Sequence, residues 1–278
     1  GILFGAGAQI NVAGLVASTL NLSDADFLSG RMNFTNGIGA GSVVNQGSVN
    51  AAGGPVYLVG NSVTNNGLIT SPNGEVVLAA GNSVELVNPG TPNLRVEIQA
   101  DSNEARNLGS VVADAGRIGI YAGLIRQSGV INADSAVAEG GRIVLKSTKR
   151  TDLEAGSVTS ARGASGGEIL ALSDMSSGTT NVAGRLDASA NAGNGGFIET
   201  SAATVNVADS AIVTASGSSG AKAGKWLVDP NDFYIQAYGG GISGAALSTV
   251  LDAGATGTDI AILTISTPGG VPGSGDIH

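Results

Sequence analysis

The stretch Asn45–Gly60, NQGSVNAAGGPVYLVG, decides the fold because close variants of it recur along the chain. It contains an Asn-x-Gly corner, a short alternating run, a Gly-Gly pair and a second alternating run. The same features return in NNGLITSPNGEVVLAAG from Asn65, NLGSVVADAGRIGIYAG from Asn107 and QSGVINADSAVAEGGRIVLKS from Gln127. Self-similarity at a period of about 20 to 50 residues is typical of solenoids, in which each repeat buries its apolar side against the next.

Two columns of glycine set the period. One glycine closes the first corner of each unit, and another precedes its second strand. Successive members are 20 to 29 residues apart, except for one step of 42 that we interpret as two turns. We expect each glycine to have a positive φ or a neighbouring backbone too close for a Cβ. The first column is Gly47, Gly67, Gly109, Gly129, Gly156 and Gly184, and the second is Gly54, Gly74, Gly116, Gly141, Gly167, Gly196 and Gly224.

The units consist of strands, because glycine or asparagine interrupts the chain too often for a helix to persist. Alternation with period two predicts which side chains face a common core. In the first strand, a large aliphatic residue points inward and a small one follows two positions later. These pairs are Val49 and Ala51, Ile69 and Ser71, Val111 and Ala113, Ile131 and Ala133, Val158 and Ser160, Leu186 and Ala188, and Ile212 and Thr214.

The second strand of each unit repeats this logic. We expect its inward residues to be Val56 and Leu58, Val76 and Leu78, Ile118 and Ile120, and Ile143 and Leu145. The residue directly after the glycine is expected to face solvent, which applies to Pro55, Glu75, Arg117, Arg142, Glu168, Phe197 and Lys225. A third, shorter strand follows around Val63, Val84, Val182 and Val205. Three strands per turn predict an all-β, right-handed parallel β-helix with stacked asparagines at its corners.

Three segments depart from the repeat. Residues 83–98, SVELVNPGTPNLRVEI, place two alternating runs around a turn signal and predict a hairpin outside the β-helix. Short helices are predicted near the ends, at Leu22–Gly30 with Ser23 as N-cap and at Ser243–Gly254, before Asp259–Ser266 resumes the strand pattern. We therefore divide the chain into a β-helix at 1–228, capped by 1–42, and a continuation at 229–278 with a short helix and the start of further rungs.

Two segments resemble a known family. The opening GILFGAGAQINVAGLVASTLNLSDADFL, with the Asn-Gly rungs after it, resembles the secretion domain of filamentous haemagglutinin-like exoproteins. Lys225–Ile235, KWLVDPNDFYI, is similar to a segment that follows their first block of rungs. The resemblance covers essentially the whole chain and makes residues 1–42 the N-terminal part of a secretion domain. In the family an Asn-Pro-Asn motif usually precedes the Gly-Ile that opens this chain, so the resemblance implies a piece of a longer exoprotein.

The resemblance also implies a route and a destination. Such bacterial exoproteins leave by two-partner secretion, through a dedicated outer-membrane β-barrel transporter with periplasmic recognition domains. They are secreted or held on the cell surface, where they act in cell adhesion and virulence or as stalks that carry toxins. The implied partners are therefore the transporter during export and afterwards a receptor, including a glycan, on a host or neighbouring cell.

Composition excludes several kinds of chemistry. The chain has no cysteine, which excludes disulfides and thiolate sites, and its only histidine is the last residue, His278. A formal net charge of −9 disfavours nucleic acid as a partner. The segment Lys146–Arg150, KSTKR, is the only basic cluster, and we interpret it as a solvated corner.

Acidic residues raise the possibility of a polysaccharide-cleaving β-helix. Glycoside hydrolysis needs two carboxylates at a set separation, one with a raised pKa, and no spacing here marks such a pair. Asp229–Asp232, DPND, leaves open a calcium-binding turn or a plain turn set by Pro230. Trp226 is predicted to be a core plug or an end cap rather than a platform for a sugar. The candidate acids are Asp152, Glu154, Glu168, Asp174, Asp187 and Glu199.

The sequence thus favours the non-catalytic N-terminal β-helix of a large secreted adhesin, with no catalytic, cofactor or metal site expected. Two alternatives stay open: a carbohydrate-active or sugar-binding β-helix protein, and the stalk of a contact-dependent toxin. All three share one fold, which cannot by itself decide among them.

Overall fold

A computed structural model describes residues 1–37, 41–91, 93–237, 240–264 and 275–278. Short strands dominate, and two helices occur among these residues, α1 at Asp24–Leu28 and α2 at Gly244–Leu251. In chain order the strands are β1 Ile2–Phe4, β2 Gln9–Val12, β3 Leu15–Ser18, β4 Asn21–Leu22, β5 Met32–Thr35, β6 Ser42–Asn45, β7 Ser48–Ala51, β8 Val56–Gly60, β9 Ser62–Asn65, β10 Leu68–Thr70, β11 Glu75–Ala80, β12 Ser83–Val87, β13 Arg95–Gln99, β14 Glu104–Asn107, β15 Ser110–Val112, β16 Arg117–Gln127, β17 Val130–Asn132, β18 Arg142–Leu153, β19 Val158–Ser160, β20 Glu168–Leu172, β21 Thr179–Val182, β22 Arg185–Asp187, β23 Phe197–Ser201, β24 Thr204–Val207, β25 Ile212–Thr214, β26 Lys225–Asp229 and β27 Asp259–Ile262.

Three parallel faces run along the solenoid, because each strand pairs with the equivalent strands of the turns before and after it. The first face contains β2, β7, β10, β15, β17, β19, β22 and β25. The second contains β3, β8, β11, β20, β23, β26, β27 and the first halves of β16 and β18. The third contains β1, β6, β9, β14, β21, β24 and the second halves of β16 and β18. This arrangement confirms the predicted parallel β-helix with three strands per turn.

Columns of aliphatic side chains fill the space between the faces. Val49, Ile69, Val111 and Ile131 follow one another in direct register, and each is fully buried. The predicted inward residues of the second face, from Val56 and Leu58 to Ile143 and Leu145, are buried as well. Both columns therefore confirm the alternation that was read from the repeat.

Two rungs are shifted by one residue from the predicted register. Gly156, with a φ of 83°, lies in a longer corner: the chain takes six positions from Leu153 to Thr159, against four from Gln127 to Ile131 in the preceding turn. Gly156 is therefore not equivalent to the other corner glycines with which the sequence aligned it. The inward residues are Thr159 with Ala161 and Val213 with Ala215, not Val158 with Ser160 and Ile212 with Thr214.

Close approach of neighbouring coils explains the second glycine column. A Cβ added to Gly141 would lie 2.2 Å from the carbonyl oxygen of Gly116, and Gly167, Gly196 and Gly224 are crowded in the same way by the preceding member. Since real Cβ atoms cannot approach so closely, any other residue would push the coils apart.

The step of 42 residues is one turn, not the two that the sequence suggested. Ile69 pairs directly with Val111, and Glu75 pairs directly with Arg117. The extra residues of this turn form the hairpin of β12 and β13, which leaves the coil and returns to it.

A buried amide ladder runs along one corner. Asn45, Asn65, Asn107 and Gln127 are fully buried, and each side-chain nitrogen donates to the amide oxygen of the next residue at 2.8 Å. The nitrogen of Gln127 then donates to main-chain carbonyls, including that of Val158 at 3.1 Å. The ladder satisfies polar groups that would otherwise be costly inside the core, which confirms the predicted asparagine stack.

The hairpin at 83–98 is confirmed, since β12 and β13 pair in antiparallel fashion. It belongs to a larger four-stranded antiparallel sheet with the order β13-β12-β5-β4, which we call the outer sheet. Val84 lies in this sheet, so its assignment to the third strand of a rung was wrong.

Both predicted helices are present and capped. The side chains of Ser23 and Ser243 accept hydrogen bonds from the N–H groups of Asp26 and Ala246. In the part of the chain that the structure describes, neither helix has the length and apolarity needed to cross a membrane. Residues 265 and 266 of the last predicted strand lie outside the described residues, and the predicted boundary at 228 stays a prediction.

Substitution of Ile131 by Asp tests the inward column. An unpaired carboxylate would be buried between Val111 and Thr159, and we expect the free energy of unfolding to fall by about 3 to 5 kcal/mol. Val130→Asp is the matched control, because Val130 is the preceding residue of the same strand and is only half-buried. Urea denaturation measures both variants, and equal losses would contradict the assignment of inward and outward residues.

Candidate functional site

The outer sheet packs on the outward side of the second face and forms a second apolar cluster. Val84, Leu86 and Val96 of the outer sheet lie against Tyr57 and Val77 of the solenoid. The strands of these rungs therefore have both faces covered, one by the core and the other by the outer sheet, whereas the outward face of a bare β-helix is exposed to solvent. This is the one place in the described residues where an antiparallel sheet covers the parallel one.

A buried carboxylate lies under the tip of the hairpin. The hydroxyl of Tyr57 donates to Glu75 Oε2 at 2.6 Å, the N–H of Gly90 donates to the same oxygen at 3.2 Å, and Arg117 Nε donates to Oε1 at 2.9 Å. Burial, together with the bond to Glu75, raises the pKa of the Tyr57 hydroxyl. The sequence predicted that Glu75 faces solvent, which is wrong because the hairpin covers this rung.

The rung after this network continues the same outward column as predicted. Arg142 and Glu168 are register partners on neighbouring strands, and Arg142 Nε lies 2.6 Å from Glu168 Oε2. Both side chains are substantially exposed, so the ion pair contributes little stability, but its presence agrees with the backbone alignment of these two turns.

The other candidate acids have local partners of their own. Asp152 accepts from Arg150 and Asn181, and Glu154 accepts from Ser128 and pairs with Arg126. None of these contacts joins two of the candidate carboxylates to each other. Each carboxylate instead forms hydrogen bonds or an ion pair with other nearby side chains. The remaining contacts are those of Asp174 with Ser176 and Ser177, Asp187 with Arg185 and Ser189, and Glu199 with Ser201.

A polar cleft opens where the first face turns into the second. It has a volume of about 580 Å³ and is lined by Asn73, Asp114, Asp134, Arg162 and Asn191 among others. Asp134 Oδ2 accepts from both Nε and Nη2 of Arg162, at 3.2 and 3.0 Å. These contacts hold the pKa of Arg162 above its usual value, and no motif or spacing predicted this pair.

The segment after β26 contains the other residues singled out in the sequence. Trp226 is fully buried and its Nε1 donates to Thr200 Oγ1 at 3.1 Å, which confirms its role as a core plug. Asp232 Oδ1 accepts from the N–H groups of Gly275 and Asp276, whereas Asp229 Oδ1 is buried without a hydrogen-bond partner. Within the described ranges, no group of three or more potential metal ligands is brought together.

Comparison with known proteins identifies the family. A model described as the TPS (two-partner secretion) secretion domain matches residues 1–169, which is more than half of the 278 residues. The chain belongs to the TPS secretion domain family. A crystal structure of the HMW1 secretion domain from Haemophilus influenzae is similar over 99% of this chain and 77% of that one, with a TM-score of 0.75 and 25% identity. No curated protein matches the chain.

Family membership confirms the predicted route. A TPS secretion domain is exported by a two-partner system, through the outer membrane and with an outer-membrane transporter as its partner. The outer sheet and the turns of the solenoid within residues 1–169 thus lie in the part of the chain that matches the export domain.

Removal of the buried carboxylate tests the network under the hairpin. Glu75→Ala leaves the Tyr57 hydroxyl, the Gly90 N–H and the Arg117 guanidinium without their acceptor, so we expect a loss of about 2 to 4 kcal/mol of unfolding free energy. Limited proteolysis between residues 88 and 94 should also accelerate, because the hairpin tip loses its anchor. Glu97→Ala, an exposed carboxylate on the same hairpin, is the control and should change stability by less than about 0.5 kcal/mol.

The unpartnered Asp229 predicts a pH effect. Burial first, and the charge of Glu199 second, raise the pKa of Asp229 in the folded chain above its usual 3.8. The folded state therefore retains this proton more strongly than the unfolded one, and the group costs stability as the pH rises above about 3.8. We expect Asp229→Asn to stabilise the chain at pH 7 by less than about 1 kcal/mol, since the group is partly solvated. Thermal denaturation should show this gain vanish near pH 3, and a gain that is equal at both pH values would contradict the assignment.

Proposed function

We propose that this chain is the non-catalytic N-terminal β-helix of a large surface adhesin. The observation that carries the proposal is the parallel pairing that continues through the described coils from β1 to β27, in which each candidate acid is engaged by a local partner. A stack of paired coils is a stiff rod that further rungs can extend, and it can hold a recognition region away from a cell surface. Retention at the cell surface, and a receptor on a host or neighbouring cell, belong to this proposal.

The cleft of Asp134 and Arg162 supports a second candidate, a sugar-binding module. Carboxylate, amide and guanidinium groups can bind the hydroxyls of a glycan, and the cleft is large enough for small sugars. However, the described lining residues contain no aromatic ring on which a sugar could stack. A toxin stalk is the third candidate, and a toxic domain in the sequence after residue 278 would favour it.

Bacteria that carry the complete exoprotein and its transporter test the adhesin role. We expect cells with the intact pair to adhere to epithelial cells at least tenfold more than cells from which the transporter gene has been deleted. A strain that keeps the transporter but lacks the exoprotein is the matched control, and it should adhere as poorly. Equal adhesion by all three strains would contradict the proposal.

Purified chain separates the alternatives. Incubation with neutral and acidic polysaccharides should release no reducing ends, and any turnover would contradict a non-catalytic role. A glycan array would support the sugar-binding module only if binding is lost in Asp134→Asn, which removes one charge from the cleft.

A further inference from the structure

The outer sheet ends before the apolar outward side of the second face does. In successive rungs the column of Tyr57 continues as Val77, Gly119, Val144 and Leu170, and only then does it become polar at Glu199. The outer sheet packs on the earlier members of this column. Val144, which is half-buried and packs against this cluster, and Leu170, which is buried, line a groove beside its last strand, β13.

Strand β13 has one paired side and one that faces the groove. It lies at one end of the outer sheet and pairs only with β12 among the described strands. A cavity of about 250 Å³ adjoins residues 94–96, and a second of about 340 Å³ adjoins residues 95–98. The two share Arg95, Val96, Tyr121 and Lys146, so that one groove follows β13 along its length. Edge strands of this kind present unpaired backbone groups to any extended chain that comes alongside.

We propose that this groove binds an extended segment of another protein, which adds to β13 as a fifth strand of the outer sheet. A strand added at the usual spacing of about 4.8 Å would lie over the rungs of β18 and β20. It would cover the half-buried side chains of Val144 and Leu172 and the small exposed part of Leu170, which line the groove. This binding surface is independent of the adhesin role proposed above.

The floor of the groove determines which segment fits. Arg142, Val144 and Lys146 alternate along β18, and all three line the groove. Leu94 and Arg142 line only the first cavity, and Ile98 and Thr148 line only the second. Strand β13 and the row on β18 therefore follow the same direction, and an added strand would run along this row. On the face of the added strand that contacts this row, every second side chain would be acidic, then apolar, then acidic.

Charge favours the same partner. Four cationic residues line the groove, Arg95, Arg117, Arg142 and Lys146, against three carboxylates that pair with them, Glu75, Glu97 and Glu168. The local balance is therefore +1, whereas the other 9 cationic and 19 acidic residues of the chain sum to −10. An acidic segment is repelled by most of this molecule and attracted to this groove.

A heptapeptide tests the proposal, with the sequence acetyl-Thr-Glu-Thr-Val-Thr-Glu-Thr-amide, which reads the same in both directions. Titration into ¹⁵N-labelled chain should shift the amide signals of β13 and of residues 142–146 and 170–172, and the shifts give the affinity. A peptide with lysine in place of glutamate should bind at least tenfold more weakly. Two N-methylated peptides test the pairing. In one the backbone N–H groups of the threonines are methylated, and in the other those of the glutamates and the valine. These two sets lie on opposite edges of the strand, and only one edge pairs with β13, so we expect one peptide to lose binding and the other to keep it.

Charge reversal on the protein provides the matched pair. Lys146→Glu should weaken binding at least fivefold, and the control Lys222→Glu, at an exposed lysine outside the groove, should change it less than twofold. The proposal is overturned if the peptide produces no shifts, or if the lysine peptide or both N-methylated peptides bind as well as the parent. It is also overturned if the β13 signals move with protein concentration alone, since a second copy would then occupy the groove.

Discussion

Parallel pairing of each strand with its equivalent one turn later is the constraint on which the rest of the structure depends. It brings the same position of successive turns to within about 5 Å, so each side chain has its own counterparts as neighbours. Only residue types that tolerate such stacking can fill a column: aliphatic residues inside, amides in the buried corner and glycine where carbonyl groups crowd. The sequence repeats because equivalent positions of successive turns need similar residue types.

Much of the fold could be predicted from the sequence because residues that stack on one another are of the same type and recur at a regular interval along the chain. The inward columns through Ile131 and Ile143, the asparagine ladder and the Arg142–Glu168 pair all followed from alternation. Where the corner grew by two residues, the same rule failed, because Gly156 resembles a corner glycine in sequence but has a different place in the turn.

The candidate site was less predictable, since it depends on contacts between segments that the repeat does not relate. The hairpin could be recognised from its turn signal, but nothing local showed that β5 would pair with β12 or that the sheet would cover Glu75. The pair of Asp134 and Arg162 arises likewise from residues 28 positions apart in neighbouring coils. Family membership adds the export route, which no single side chain in the chain reveals.

The outer sheet also has a mechanical meaning. β5 leaves the coil between the first turns, whereas β12 and β13 leave it two turns later, and their pairing ties these excursions together across the outside of the rod. A bare solenoid pulled from one end can lose its turns one after another, each release breaking only one layer of hydrogen bonds. Here the first turns are crosslinked by the outer sheet, so that under tension they should yield as one block, and the rod would unwind progressively only from its far end.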